Sequence, residues 1–118
     1  MAFKKPTRII TYSVSAQTAD QEEVLYTCPA NCRAMMSLLF FSNANGNTTV
    51  DVNWYRENGT KHVHIVGGKN MISGEFVQFS DGIIVFEPGD YMTVTPSGNT
   101  TPHIDAMCTV EEVFIPVG

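Results

Sequence analysis

Residues 48–56 read Thr48-Thr49-Val50-Asp51-Val52-Asn53-Trp54-Tyr55-Arg56, and polar and apolar residues alternate along them. Val50, Val52 and Trp54 fall on one side of an extended chain, with Thr49, Asp51, Asn53 and Tyr55 on the other. A strand turns successive side chains to opposite faces, so this pattern gives a strand with one buried and one wet surface. A helical period of 3.6 residues would mix the two sets on every face. Asn45-Gly46 and Asn58-Gly59 flank the stretch. Both pairs tolerate positive φ and are strong hairpin signals. The expectation is a strand set between two hairpin turns.

The same reading extends along the whole chain. Residues 8–14 form a first strand, with Ile10, Tyr12 and Val14 on one face. Residues 22–28 form a second, with Val24 and Tyr26 on one face and Leu25 and Thr27 on the other. Residues 33–42 are the least polar stretch, as expected of a strand covered on both faces or carrying a bulge. Residues 61–66 alternate again, and Gly67-Gly68 is expected to close that strand. Residues 71–79 make a weaker strand interrupted by Gly74, followed by a turn at Asp81-Gly82 and a short strand over 83–86. Pro88-Gly89-Asp90 turns the chain into a strand at 91–95, and residues 96–102 read as a polar loop. The last strand, 103–114, carries Ile104, Ala106, Cys108 and Val110 on one face. Its apolar phase shifts after Glu111-Glu112, to Val113 and Ile115, which predicts a bulge near the glutamates. The long first and last strands are expected to pair.

Composition agrees with an all-β chain. Of 118 residues only Leu25, Leu38 and Leu39 are leucine, in a chain crowded with Val, Ile, Thr and Phe. β-branched and aromatic side chains suit a pleated surface and lose rotamer freedom in a helix. Charged residues make up 16%, below the roughly 25% usual for soluble domains, and Thr, Asn and Ser fill the difference. The fold class expected is a single antiparallel β-sandwich, jelly-roll-like, of about eight strands. An extended N-terminal arm covers residues 1–7 and the sandwich residues 8–118. A net charge of -5 gives no basic field for nucleic acid. No run approaches the ~20 apolar residues of a membrane span. Pro6, Thr7 and Arg8 interrupt any apolar signal-peptide region, so synthesis in the cytoplasm is expected.

Candidate chemistry is sparse. Cys28, Cys32 and Cys108 are an odd number, expected as free thiols, with Cys28 ending a strand and Cys108 in the core. His62 and His64 project from one face of a strand, as a cupin-type metal site would begin. The rest of that motif is missing: position 56 is Arg56, no acid follows His64 before Glu75, and no histidine follows Pro88-Gly89 before His103. A His103–Cys108 pair would sit on opposite faces of one strand. Trp54 and Tyr55 invite a sugar-stacking reading, but neighbours on a strand face opposite ways, and Trp54 shares the face of Val50 and Val52. Asn47, Asn58 and Asn99 head glycosylation-type sequons that read as accidents of Asn/Thr-rich exposed turns. No catalytic residue, metal or cofactor is expected.

Several segments together carry a resemblance. They are Tyr26-Thr27-Cys28-Pro29-Ala30, the strand over 36–41, the Asn-rich 43–47 and Val50-Asp51-Val52-Asn53-Trp54. Ile84-Val85-Phe86-Glu87-Pro88-Gly89-Asp90 and Val110-Glu111-Glu112 complete the set. Over about residues 22–113 the chain resembles small β-sandwich virion proteins of tailed bacteriophages, found as head decoration (cement), neck or tail accessory subunits. The resemblance implies a non-enzymatic structural subunit in the virion, a homo-oligomer of three or more copies, and other virion proteins as partners. It implies neither nucleic-acid nor membrane binding. Phe3, Lys4, Lys5 and Arg8 are the partner-binding candidates, one apolar anchor and three cations on the arm. Two alternatives stand beside it: a cupin-like metal-binding protein using His62 and His64, and a carbohydrate-binding β-sandwich module.

Overall fold

The computed structural model describes residues 7–59, 62–80 and 84–115, with the side chain of His62 outside the description. Nine strands and no helix occur among them: β1 (Thr7–Ala16), β2 (Glu23–Thr27), β3 (Cys32–Asn43), β4 (Thr48–Tyr55), β5 (His62–Met71), β6 (Phe76–Phe79), β7 (Ile84–Phe86), β8 (Tyr91–Ser97) and β9 (Ile104–Phe114). They form two antiparallel sheets. Sheet A runs β1-β9-β3-β6, with β7 also on β3; sheet B runs β2-β8-β4-β5. β6 and β7 pair with successive parts of β3, opposite Leu39–Ser42 and Ala34–Met36. Counted as one interrupted strand, they leave eight positions ordered 1-8-3-6 over 2-7-4-5. That is the double Greek key of a jelly roll.

The core lies between the sheets. Met36, Leu39, Phe41, Phe86, Ile104, Cys108 and Val110 of sheet A meet Leu25, Tyr26, Val50, Val52, Met92 and Val94 of sheet B. Trp54 packs against this cluster edge-on to Phe86, at 6.0 Å between ring centroids, on the same side of β4 as Val50 and Val52. The expected pairing of first and last strands is observed, with β1 in unbroken register on β9 from Thr7↔Val113 to Ala16↔Ile104.

The bulge expected at Glu111-Glu112 lies elsewhere. The shift between β3 and β9 falls between Met36 and Leu38, so Ser37 is the extra residue. Cys32, Ala34 and Met36 point inward before it; Leu39, Phe41 and Asn43 do so after it. Of the two expectations for this stretch, the bulge is the one observed. The inward phase of β9 continues through Glu112, which is fully buried. The apparent shift came from reading an inward glutamate as a wet one.

Three other expectations are corrected. Asn45-Gly46 is not a hairpin, because β3 and β4 belong to different sheets. The buried Asn43 organises this crossing instead: its amide donates to the carbonyls of Gly46 (2.5 Å) and Met71 (3.0 Å), and its oxygen accepts from the Asn45 N–H (3.1 Å). In β2 a bulge at Leu25 turns both Leu25 and Tyr26 inward. β5 does not stop at Gly67-Gly68; two register shifts against β4 absorb the glycines, and the strand continues to Met71. Asn58-Gly59 does close the β4–β5 hairpin, with Gly59 at φ 71°. The Asp81-Gly82 turn lies outside the described residues.

The Ser37 bulge has a direct test. Deleting Ser37 moves Leu39 and Phe41 to the outer face and is expected to abolish cooperative unfolding in urea. Ser37→Ala keeps the extra residue and is expected to change stability by no more than about 0.5 kcal/mol.

Candidate interaction surface

The two sheets differ in what they turn outward. On sheet A, cross-strand rows read Ile9–Glu111–Met35–Val85 and Ser13–Met107–Phe40–Gln78, with Ser42 beside Phe76. Phe40 stacks on Phe76 at 5.6 Å. Ile9, Phe76 and Val85 are 73%, 61% and 47% exposed, far from burial for large apolar side chains. Charges on this face are few, and Arg33 meets Glu87 at 2.9 Å. A depression of about 240 Å³, lined by Ser13, Ser15, Phe40, Asp105 and Met107, indents it. Exposed apolar side chains gathered on one face make it a candidate contact surface.

Sheet B also exposes Val24 (52%) and Val63 (44%), but its outer polar groups bond to one another. Glu22 accepts from the Tyr55 hydroxyl (2.6 Å) and the Thr93 hydroxyl (2.6 Å). Tyr55 stacks on Tyr91 with centroids 4.9 Å apart and planes 13° from parallel. Thr49 donates to Asn70 (2.8 Å), and Asp51 accepts from the Gly68 N–H (2.6 Å). The register sets positions 62 and 64 opposite Tyr55 and Asn53, and His64 is exposed. Among the described residues no group of three or more His, Cys, Asp or Glu side chains is placed to hold a metal ion.

The Pro88-Gly89-Asp90 turn is structural. Gly89 sits at φ 83°, and a Cβ there would fall 2.6 Å from Glu57. Asp90, 3% exposed at its side chain, accepts from Arg56 (2.8 Å) and the Glu87 N–H (2.9 Å), and Arg56 lies over the Trp54 ring at 4.8 Å. Asn99 is likewise engaged within the fold, donating to Asn45 and Thr48.

The sequence reading missed the group around Glu112. Its carboxylate has no exposed surface. Tyr26 of β2 donates to it at 2.7 Å, Tyr12 of β1 at 3.3 Å, and the Arg8 Nε at 2.6 Å. Burial first, then the bond to Glu112, pushes the Tyr26 phenol far above its ordinary value of 10.0. Arg8 is the one partner-binding candidate among the described residues; its guanidinium holds Glu112 while half of its side chain stays exposed. Phe3, Lys4 and Lys5 lie outside them. The signal in the sequence was an acid at an inward position of an otherwise apolar β9 face.

All three cysteines are free, as the sequence predicts, and buried, as it predicts for Cys108; Cys28 stands one residue past the end of β2. Burial pushes the Cys28 and Cys108 thiols up to about 11, and raises Cys32 as well.

No protein-family model and no curated protein matches the sequence. Solved structures do match the fold. A protein of the disulfide-linked pili that form Bacillus endospore appendages is similar over 97% of this chain and 93% of its own, at TM-score 0.60 and 11% identity. A chain of infectious bursal disease virus, Gx strain, is similar over 92% of this chain, at TM-score 0.54 and 13% identity. One from the T13 particle of that virus covers 95%, at TM-score 0.50 and 12% identity. This chain spans about a third of the length of those viral chains, 33% and 36%.

The buried groups can be probed in three ways. Tyr26→Phe removes a hydrogen bond to a buried charge and is expected to cost about 1.5–3 kcal/mol in urea unfolding. A change below about 0.5 kcal/mol would show that Glu112 does not depend on Tyr26. Native protein should leave all three thiols unreacted with a disulfide reagent and yield three after unfolding. A thiol with a raised pKa stays neutral in the folded state where the unfolded chain ionises. Its contribution is complete below the ordinary value of 9.0 and is lost as pH climbs toward about 11. Stability should therefore fall across that window, and less steeply in Cys108→Ala.

Proposed function

We propose that this chain is a non-enzymatic structural subunit of a virion, working through protein–protein contacts as a capsid decoration (cement) protein or a neck or tail accessory protein. The observation that carries the reading is the unequal pair of faces. Sheet B closes polar groups on one another and exposes Val24 and Val63, while sheet A leaves Ile9, Phe76, Phe79 and Val85 in water. A face of that kind calls for a neighbour, and a jelly roll with like surfaces can pack in many copies. The infectious bursal disease virus chains with this fold are parts of viral particles, which supports the same use. Low surface charge reduces repulsion between copies.

The similarity to a pilus subunit over nearly the whole chain favours a second reading, a subunit of a thin fibre. That protein's pili are disulfide-linked. Here every cysteine of the sequence is buried in its own domain, so a folded copy offers no thiol for a link between subunits. A fibre of this chain would have to hold by non-covalent contacts. The virion reading makes no such demand.

Residues 1–6 carry Phe3, Lys4 and Lys5, and in this reading they dock on an acidic neighbour in the particle, next to Arg8. The test is protein mass spectrometry of particles purified from the source of the sequence. The native chain is expected as a stoichiometric component, and a variant lacking residues 1–6 as a folded protein missing from the particles. Absence of the native chain from particles contradicts the virion role, and incorporation of the variant at native levels contradicts the role of the arm.

A further inference from the structure

We propose that β1 is the strand through which two copies of this chain pair, edge to edge and antiparallel, about a two-fold axis normal to sheet A. A strand at the border of a sheet exposes unpaired N–H and C=O groups, and proteins that stay monomeric blunt such borders with short strands, bulges, charges or prolines. Three of the four borders here are blunted. β2 has five residues and a bulge at Leu25. β6 and β7 have four and three residues and are separate. β5 is long, but its register on β4 breaks twice and it carries Gly67, Gly68 and Lys69.

β1 is the least protected of the four. Its ten residues hold an unbroken register on β9, with no proline, no glycine and one charge, Arg8, which is already bound to Glu112. Among the described residues no strand pairs with its other side.

The occupant follows from the strand itself. An axis normal to the sheet keeps outward residues outward, so directly opposed positions must sum to an even number. The two fullest registers are centred on Thr11 or Tyr12, each pairing nine residues. The two Arg8 side chains then stand at opposite ends of the ladder, about 20–27 Å apart, where salt screens them. A parallel pairing would set them side by side. Ile9, at 73% exposed, gains a serine of the second copy as its cross-strand neighbour, and the apolar outer face of sheet A continues across the axis. A two-fold contact closes at two copies, so the pair is a unit from which a larger assembly is built through another surface. The inference rests on the sheet borders alone and holds for a pair in solution whether or not a virion receives it.

Spin labels test it on the full chain, because the native thiols are buried and stay unlabelled. Labels on Thr11→Cys are expected within about 15 Å of each other. Labels on Thr7→Cys should lie about 27 or 34 Å apart, according to register. Thr11→Lys with Ser13→Lys sets like charges opposite one another at exposed positions. This variant should remain folded by circular dichroism and sediment as a monomer. A native chain that is monomeric up to submillimolar concentration overturns the proposal. So does a dimer with long distances at both label sites, or one that the lysine pair leaves intact. Either of those dimers would mean that residues 1–6, or another surface, make the contact. Loss of the pair with the chain still present in virions leaves the virion role standing, so the two claims fail separately.

Discussion

The buried carboxylate of Glu112 sets the conditions that the rest of the sandwich has to meet. A charge removed from water is tolerated only when partners surround it, and here they come from both sheets. Arg8 and Tyr12 reach it from β1, and Tyr26 crosses from β2. For Arg8 to arrive, β1 must run in its observed register, with Arg8 directly opposite Glu112. For Tyr26 to arrive, β2 must bulge so that Leu25 and Tyr26 both turn inward. The first strand, the last strand and the inter-sheet contact at this end are thus fixed by one side chain. Tyr26 also stacks edge-on to Phe86 at 5.3 Å and lies 4.9 Å from Tyr12, which joins the polar group to the apolar core.

How much of this could be read beforehand follows the physics of strands. Alternation is local, so β4, β8 and most of β9 were readable from side-chain period, and the pairing of the terminal strands followed from their length. Sheet membership is not local. Asn45-Gly46 has the chemistry of a hairpin turn, yet the chain there passes from sheet A to sheet B under the hydrogen bonds of Asn43. Bulges are partly visible. The continuous apolar run of 33–42 announced one, but its place at Ser37 depends on the register with β9, which no property of residues 33–42 reveals. Glu112 misled for the opposite reason: a glutamate is ordinarily wet, and only its three partners, up to 104 positions away in sequence, make the inward position tolerable.

The candidate surface was readable in part. The composition is charge-poor and rich in Thr and Asn, and the structure gives it a geography. Uncharged polar residues serve the outer face of sheet B and the crossings between sheets, and on sheet A they pair across β1 and β9 as Thr11 with Thr109. Outward apolar residues collect on sheet A because β3 and β9, central in that sheet, contribute Met35, Phe40 and Met107 to its outer face as well as residues to the core. Sequence period alone assigns residues to two faces but does not say which face of which sheet they will share.

The claim that sheet A is the assembly face meets its most direct test in hydroxyl-radical footprinting of the isolated chain against the chain in its assembled particle. Met35, Met107, Phe40 and Phe76 should lose reactivity on assembly, while Tyr55 and Tyr91 on sheet B keep theirs. Equal reactivity of the sheet A residues in both states, or protection confined to the two tyrosines, would contradict it.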